Sequence, residues 1–373
     1  MERQVRTVTG QRRAPVRERY EYAPESVLPP GETLRETLDA LPMSQAELSM
    51  RTGLSAKHVN QIVQGVAVLS HDTAIALERA TGVPARLWNS LEANYRDYLA
   101  RKRERDELAD QTTWLRQIPV KALRKMGIIT AALDDDPTTL QQVLRFFGVV
   151  SLSAWESVWR KPGADFRQSQ AFDIDVGALA TWLRLGELEA QRLQCAPYDR
   201  EMLRGLVPAL RALTVEPLER FLPEMTRLCS QAGVAVVIIP EITGCRASGA
   251  TRWLSPHKAV LQLSVRHKRN DHLWFSFFHE LGHILLHGKR DQFIEDDSPA
   301  EDPKEQEADR FASDTLIPPQ YAPELNGLKS LAAITDFARR TGVAPGIVVG
   351  RLQHEGIIGF NVGHKLFERY RFV

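Results

Sequence analysis

The sequence predicts a mostly α-helical, multidomain chain whose C-terminal part is α+β. Three observations carry that prediction. At 373 residues the chain exceeds the usual size of one hydrophobic core, so two or three domains are expected. Apolar residues recur at helical spacing from residue 31 to about 230. From 233 onward, β-branched and alternating runs enter between further helical stretches. Composition is that of an ordinary globular protein, with 43% hydrophobic and 25% charged residues, which excludes wholesale disorder.

The first segment, 1–30, is Arg-rich and lacks either period. Arg3, Arg6, Arg12, Arg13, Arg17 and Arg19 face only Glu2 and Glu18 in residues 1–20, and the segment is read as a mobile basic arm. It has no apolar core of a secretory signal. Residues 31–108 follow as a run of short helices. Leu34, Leu38 and Leu41 form a stripe, and Ser44 precedes Gln45-Ala46-Glu47-Leu48 at capping-box spacing. Thr52-Gly53-Leu54 breaks that helix, Ser55 caps the next (AKHVNQIVQ), and Gly65 ends it. A helix over 72–81 and one over 86–108 complete the block.

Residues 109–231 read as helix after helix (118–126, 137–147, 151–160, 175–194, 199–213, 215–231) and carry no motif with evident chemistry. They are expected to form a helical connector. In 232–373, Val234–Ile239 suits a buried strand, with further strands over 244–253 and 258–264. Helices are predicted over 271–287, 303–316, 328–341 and 345–355.

Chemistry concentrates in the helix predicted over 271–287. It holds His279-Glu280-Leu281-Gly282-His283, and two histidines four apart share one helix face, so both imidazoles can reach a single tetrahedral metal. Glu280, next to the first ligand, is placed to take a proton from an attacking water and pass it to a leaving amine. Random placement gives roughly 0.02 such motifs in a chain with this histidine content, and two imidazoles among Trp274, Phe275, Phe277 and Phe278 would be costly unless a metal satisfied them. No histidine occupies the third position of an extended HExxHxxGxxH motif, since residue 286 is Leu. The third ligand is therefore sought on the next helix.

There, Glu305, Ala308, Asp309 and Ala312 share a face, which points to Glu305 as ligand. Asp309 would accept the spare N–H of a ligating histidine. Glu307, the other candidate, projects about 200° away. An alternative reading of Glu305 stays open, because Asp302-Pro303-Lys304-Glu305 is also a helix-capping pattern. His287 is read as a cation at the helix end or a group supporting a ligand. Tyr321, His354 and His364 are candidates for oxyanion stabilisation by residue type alone.

FHELGHILLHG followed by EQEADRFASDTLIP resembles the ImmA/IrrE family of zinc metallopeptidases over roughly 230–370. The resemblance implies a zincin-like fold, Zn2+ held by His279, His283 and Glu305, and Glu280 as catalyst. Asp309 departs from the Asn often found there. GETLRETLDALPMSQAELSMRTGLSAKHVNQIVQG resembles the Xre-type helix-turn-helix, and more narrowly the HigA-like antitoxin group, with Ser49 in place of a usual Ala. That resemblance implies a DNA-binding domain whose second helix enters the major groove, with Gln45, Ser55, Lys57, His58, Asn60 and Gln61 toward bases or phosphates.

Together these readings give a transcriptional regulator that binds double-stranded operator DNA, forms a homodimer, and carries a zinc endopeptidase that cleaves a partner regulator or itself. The protein substrate would include a helix-turn-helix repressor. The alternative is a HigA-like antitoxin or repressor that binds DNA and a toxin, its zinc domain structural or sensory. Cys195, Cys229 and Cys245 form no CxxC pair, so a disulfide framework is not expected. No apolar run spans a bilayer, and the expected location is the cytoplasm.

Overall fold

The computed structural model describes residues 27–160, 175–264, 266, 268–288, 293–295 and 302–370. The expected basic arm lies outside these residues except for its last four. The described residues fall into two compact units. One holds the chain up to Thr113 together with Ala131–Gln141; the other holds Trp114–Thr130 and the chain from Gln142 onward.

The first unit contains five helices in its continuous stretch: α1 (Pro30–Ala40), α2 (Gln45–Thr52), α3 (Ala56–Val63), α4 (His71–Thr81) and α5 (Ala85–Ala109). Their apolar stripes meet in one core of Leu34, Leu38, Leu48, Val59, Ile62, Leu77 and Trp88. Ser44 caps α2 by accepting from the Glu47 amide at 3.1 Å. The Glu47 carboxylate turns away to Arg51, so the capping box is half made. Gly53, at φ 73°, ends α2 in a left-handed conformation that glycine adopts without a Cβ clash. The Ser49 hydroxyl donates to the Leu54 carbonyl at 2.6 Å, across that same turn, which gives the departure from Ala a structural role. Gly31 approaches the end of α3 so closely that a Cβ would lie 2.3 Å from the carbonyl oxygens of Ile62 and Val63.

The second unit is built on a mixed four-stranded sheet of order β1-β3-β2-β4. The strands are β1 (Val234–Ile238), β2 (Gly249–Ser255), β3 (Lys258–Leu263) and β4 (Phe293–Glu295). β1 runs parallel to β3, and the other pairs are antiparallel. The strand expected from residue 244 begins at Gly249, and the three-residue β4 carries too short a pattern to read from sequence. Strand side chains alternate between faces. Thr251 reaches helix Asn270–Leu286, its hydroxyl donating to the Glu280 carbonyl at 3.1 Å. Arg252 and Gln262 point the other way, to the carbonyls of Leu183 at 2.5 Å and Trp182 at 2.7 Å in helix Val176–Arg192. Arg252 also pairs with Glu187 at 3.1 Å. Burial lowers its guanidinium pKa to about 10, still far above neutrality, so the guanidinium stays charged.

Of the stretch expected as a connector, helices Val176–Arg192, Arg200–Ala212 and Leu218–Gln231 belong to this unit. Phe221 of the last packs on Trp274, ring centroids 5.0 Å apart. Helix Asn270–Leu286 in turn packs on helix Pro303–Leu316. A Cβ on Gly282 would stand 3.3 Å from the Ala308 Cα and 3.1 Å from the Phe311 ring. Ala308 and Ala312 are fully buried at this contact, so the small residues of both helices permit the approach.

Arg211 ties two helix ends to this core. Its Nε donates to the Thr315 carbonyl at 2.7 Å, and its Nη2 to those of Leu316 at 2.9 Å and Thr341 at 2.7 Å. A cation there meets the negative ends of both helices. Arg211→Met keeps the aliphatic stem and strips three carbonyls of their donor. It is expected to cost about 2–4 kcal/mol, measured by urea unfolding; a loss below about 0.5 kcal/mol would remove the clamp from the account.

Candidate metal centre

Helix Asn270–Leu286 begins where the C-terminal segment anchors it. The Asn270 amide donates to the Glu368 carbonyl at 3.0 Å, and the Tyr370 amide to that of Lys268 at 2.8 Å. Its third and fourth turns then present His279 and His283 on one face, each 2% exposed, and Glu280, which follows His279, is fully buried.

The two imidazoles and the Glu305 carboxylate converge. His279 Nε2 lies 2.9 Å from His283 Nε2 and 3.0 Å from Glu305 Oε2. His283 Nε2 is 3.3 Å from the same oxygen. Among the described residues these three form the group whose donor atoms could share a metal ion. Three ligand atoms about 2.0–2.1 Å from a tetrahedral metal would stand about 3.3–3.4 Å apart, so the triangle is slightly tighter than a ligated set.

Proton placement supports the same donor set. His279 Nδ1 lies 2.9 Å from Asp309 Oδ1. An N–H there is donated to the carboxylate, which leaves a lone pair on Nε2. That lone pair faces another imidazole nitrogen and a carboxylate oxygen, an arrangement that repels unless a proton or cation lies between them. Burial raises the Glu305 carboxyl pKa, but when the imidazoles carry protons at Nε2 their hydrogen bonds and charge outweigh it, bringing the value down to about 2. Glu305 is then an anion beside a proton, in the position where a cation could replace it. Burial foremost lowers the His283 pKa, which favours the neutral, ligating imidazole.

Asp302 caps helix Pro303–Leu316, accepting from the Lys304 amide at 2.9 Å. The Glu305 side chain does not close a capping box; it turns to the histidines. The two sequence readings of this turn therefore divide between two carboxylates. Glu307 lies apart from the cluster and meets His287 Nε2 at 3.1 Å. Phe293 of β4 stacks on His283 with centroids 3.8 Å apart and planes 11° off parallel. No feature of a three-residue strand reveals that wall in advance.

Glu280 reaches the start of β2. A Cβ on Gly249 would stand 2.5 Å from Glu280 Oε1 and 3.0 Å from its carboxyl carbon, so the carboxylate occupies room that only glycine leaves. Sequence reasoning missed Gly249, because the contact joins residues 31 positions apart. Of the residues weighed for an oxyanion, Tyr321 packs edge-on to Phe337, His364 edge-on to Phe367, and His354 is exposed.

In the first unit, Gln45, Lys57 and Asn60 are exposed on α2 and α3, while His58 and Gln61 are half-buried. The Ser55 oxygen accepts from the His58 amide at 3.1 Å, which leaves its hydroxyl proton to donate outward.

Gly249→Ala is expected to displace the Glu280 carboxylate while the His279–His283–Glu305 triangle persists. A crystal structure of the variant checks this directly, and an unmoved carboxylate would contradict the close contact.

Comparison with known families follows the same division. Residues 230–353 match a peptidase family model described as the IrrE N-terminal-like domain, and residues 34–88 match a helix-turn-helix model. No curated protein matches the chain. The first match contains His279, Glu280, His283 and Glu305; the second contains α2 and α3. In order from the N-terminus, the chain is thus similar to the helix-turn-helix family and then to the IrrE N-terminal-like peptidase family.

Proposed function

We propose that the chain is a DNA-binding regulator carrying a zinc-dependent endopeptidase that cleaves a partner regulator or itself. The observation that carries this reading is the convergence of His279 Nε2, His283 Nε2 and Glu305 Oε2 within 3.3 Å, with Glu280 buried beside them. His279, His283 and Glu305 would hold the zinc. Bound there, zinc would supply Lewis acidity toward a scissile carbonyl and the attacking water. Glu280 takes the proton of that water and delivers it to the leaving nitrogen. Gly249 gives this carboxylate its place, and Asp309 fixes the ring of His279 through its Nδ1–H. The buried surroundings keep bulk water from competing for the proton.

The helix-turn-helix supports the regulatory half. Lys57 and Asn60 lie exposed on α3, the helix expected in the major groove, and they suit a phosphate and a base edge respectively. The same half also favours a second reading, a HigA-like repressor or antitoxin whose zinc domain turns nothing over.

Zinc content of wild type and Glu280→Gln, measured with incubation against helix-turn-helix repressor proteins, separates these. About one zinc in each protein, with cleavage by wild type alone, is the result expected from a Glu280-dependent peptidase. Zinc in both with no cleavage of any repressor would favour the repressor reading, and no zinc in either would sink the metal site. For the DNA half, Asn60→Ala is expected to cost about 1–3 kcal/mol of operator affinity and to relax sequence preference, and Lys57→Ala to lower the salt slope by about one. Salt titrations of operator binding read both; unchanged affinity in both variants would exclude α3 as the reading helix.

A further inference from the structure

We infer that His287 and Glu307 form a relay that positions His283 for metal binding, with His283 as the second ligand to receive support from a carboxylate. The inference rests on the metal reading above. His283 Nδ1 lies 2.9 Å from His287 Nδ1, and His287 Nε2 lies 3.1 Å from Glu307 Oε2. One proton arrangement serves all three groups. Glu307 accepts the N–H of His287 Nε2, and this fixes His287 in the tautomer whose Nδ1 carries a lone pair. That lone pair accepts the N–H of His283 Nδ1. His283 Nε2 is then left with a lone pair directed toward His279 Nε2 and Glu305 Oε2, as a ligand requires. The reverse arrangement would put a proton on His283 Nε2 and abolish it as a ligand.

The geometry holds the relay in place. Phe293 covers both rings, stacked on His283 and 5.1 Å from His287 between centroids. The His287 side chain is 5% exposed, whereas that of Glu307 is 62% exposed. The inner link is therefore shielded from water, and the outer carboxylate is screened. His287 should matter more than Glu307, and Glu307 should act only through His287. The two histidine ligands would then be oriented differently: His279 directly by Asp309, and His283 through an intervening imidazole. Both carboxylates come from helix Pro303–Leu316, which also supplies Glu305.

The test measures zinc affinity of the full-length chain by competition with a chromophoric chelator, and the absorption spectrum of the cobalt-substituted protein. His287→Leu is expected to weaken zinc binding roughly tenfold to a hundredfold and to shift the cobalt bands. His287→Gln, whose amide oxygen can accept from His283 Nδ1, should restore much of the affinity. Glu307→Ala, which removes the acceptor, should weaken binding several-fold in the wild-type background and have no further effect beside His287→Leu. Wild-type affinity in His287→Leu, or an equal Glu307→Ala effect in both backgrounds, would overturn the relay while leaving the metal site standing. Absence of zinc from the wild type would overturn both. Should His287→Leu fail to fold, the exposed Glu307→Ala still decides: unchanged affinity and cobalt spectrum would refute the relay.

Discussion

The close approach of helix Asn270–Leu286 to helix Pro303–Leu316 is the constraint on which the candidate site depends. The first helix alone offers two imidazoles. It becomes a three-donor cluster through the second helix, and Gly282 faces Ala308 at that contact, where a Cβ would fall 3.3 Å from the Ala308 Cα and push its neighbours by a few tenths of an ångström. Side chains much larger than Ala at Gly282, Ala308 or Ala312 would press on this contact, and with it on the approach of Glu305 and Asp309 to His279. The packing of small residues and the polar chemistry are one design, since the contact that buries the histidines also brings the carboxylates that compensate their burial.

The sheet serves the same end from the other side. Its face toward helix Asn270–Leu286 is apolar except at the start of β2, where Gly249 and Thr251 meet Glu280. The opposite face carries Arg252 and Gln262, which meet Glu187 and carbonyls of helix Val176–Arg192, while Arg252 Nε and Gln262 Oε1 make no hydrogen bond among the described residues. The helices around 176–231 look like a mere connector in sequence because their polar partners belong to the strands that follow. Their purpose is visible only once Arg252 and Gln262 are assigned a face.

Legibility followed the range of the interaction. The cap at Ser44, the break at Gly53 and the pairing of His279 with His283 are written within one or two turns, where helical period and capping chemistry operate. Glu305 and Asp309 were legible at one remove, through the shared face of 305, 308, 309 and 312 with its small residues. What escaped were contacts between segments: Gly249 under Glu280, Phe293 over His283, and Arg211 at two helix ends. The half-burial of His58 and Gln61 escaped for the same reason, since α3 alone does not show how far its neighbours overlap its flanks. Ser49 marks the boundary case, a substitution visible in sequence whose hydrogen bond to Leu54 is not.

The charge imbalance of 291–309, nine acids against one lysine, acquires a reason where the chain is described. Asp302 caps the helix, Glu305 faces the imidazoles, Asp309 takes the His279 Nδ1–H, and Glu307 takes that of His287. The N-terminal turn of that helix favours Asp302 and Glu305 through its dipole, whereas Glu307 and Asp309, beyond the first turn, are matched by the imidazoles they meet. The accumulated negative charge would in turn favour a divalent cation over a proton between His279, His283 and Glu305. Near-zero net charge of the whole chain conceals this, because the opposing charge is placed elsewhere along the sequence, notably in its first twenty residues. Local charge sign, together with the direction in which each donor nitrogen points, defines the site more sharply than its ligand types alone.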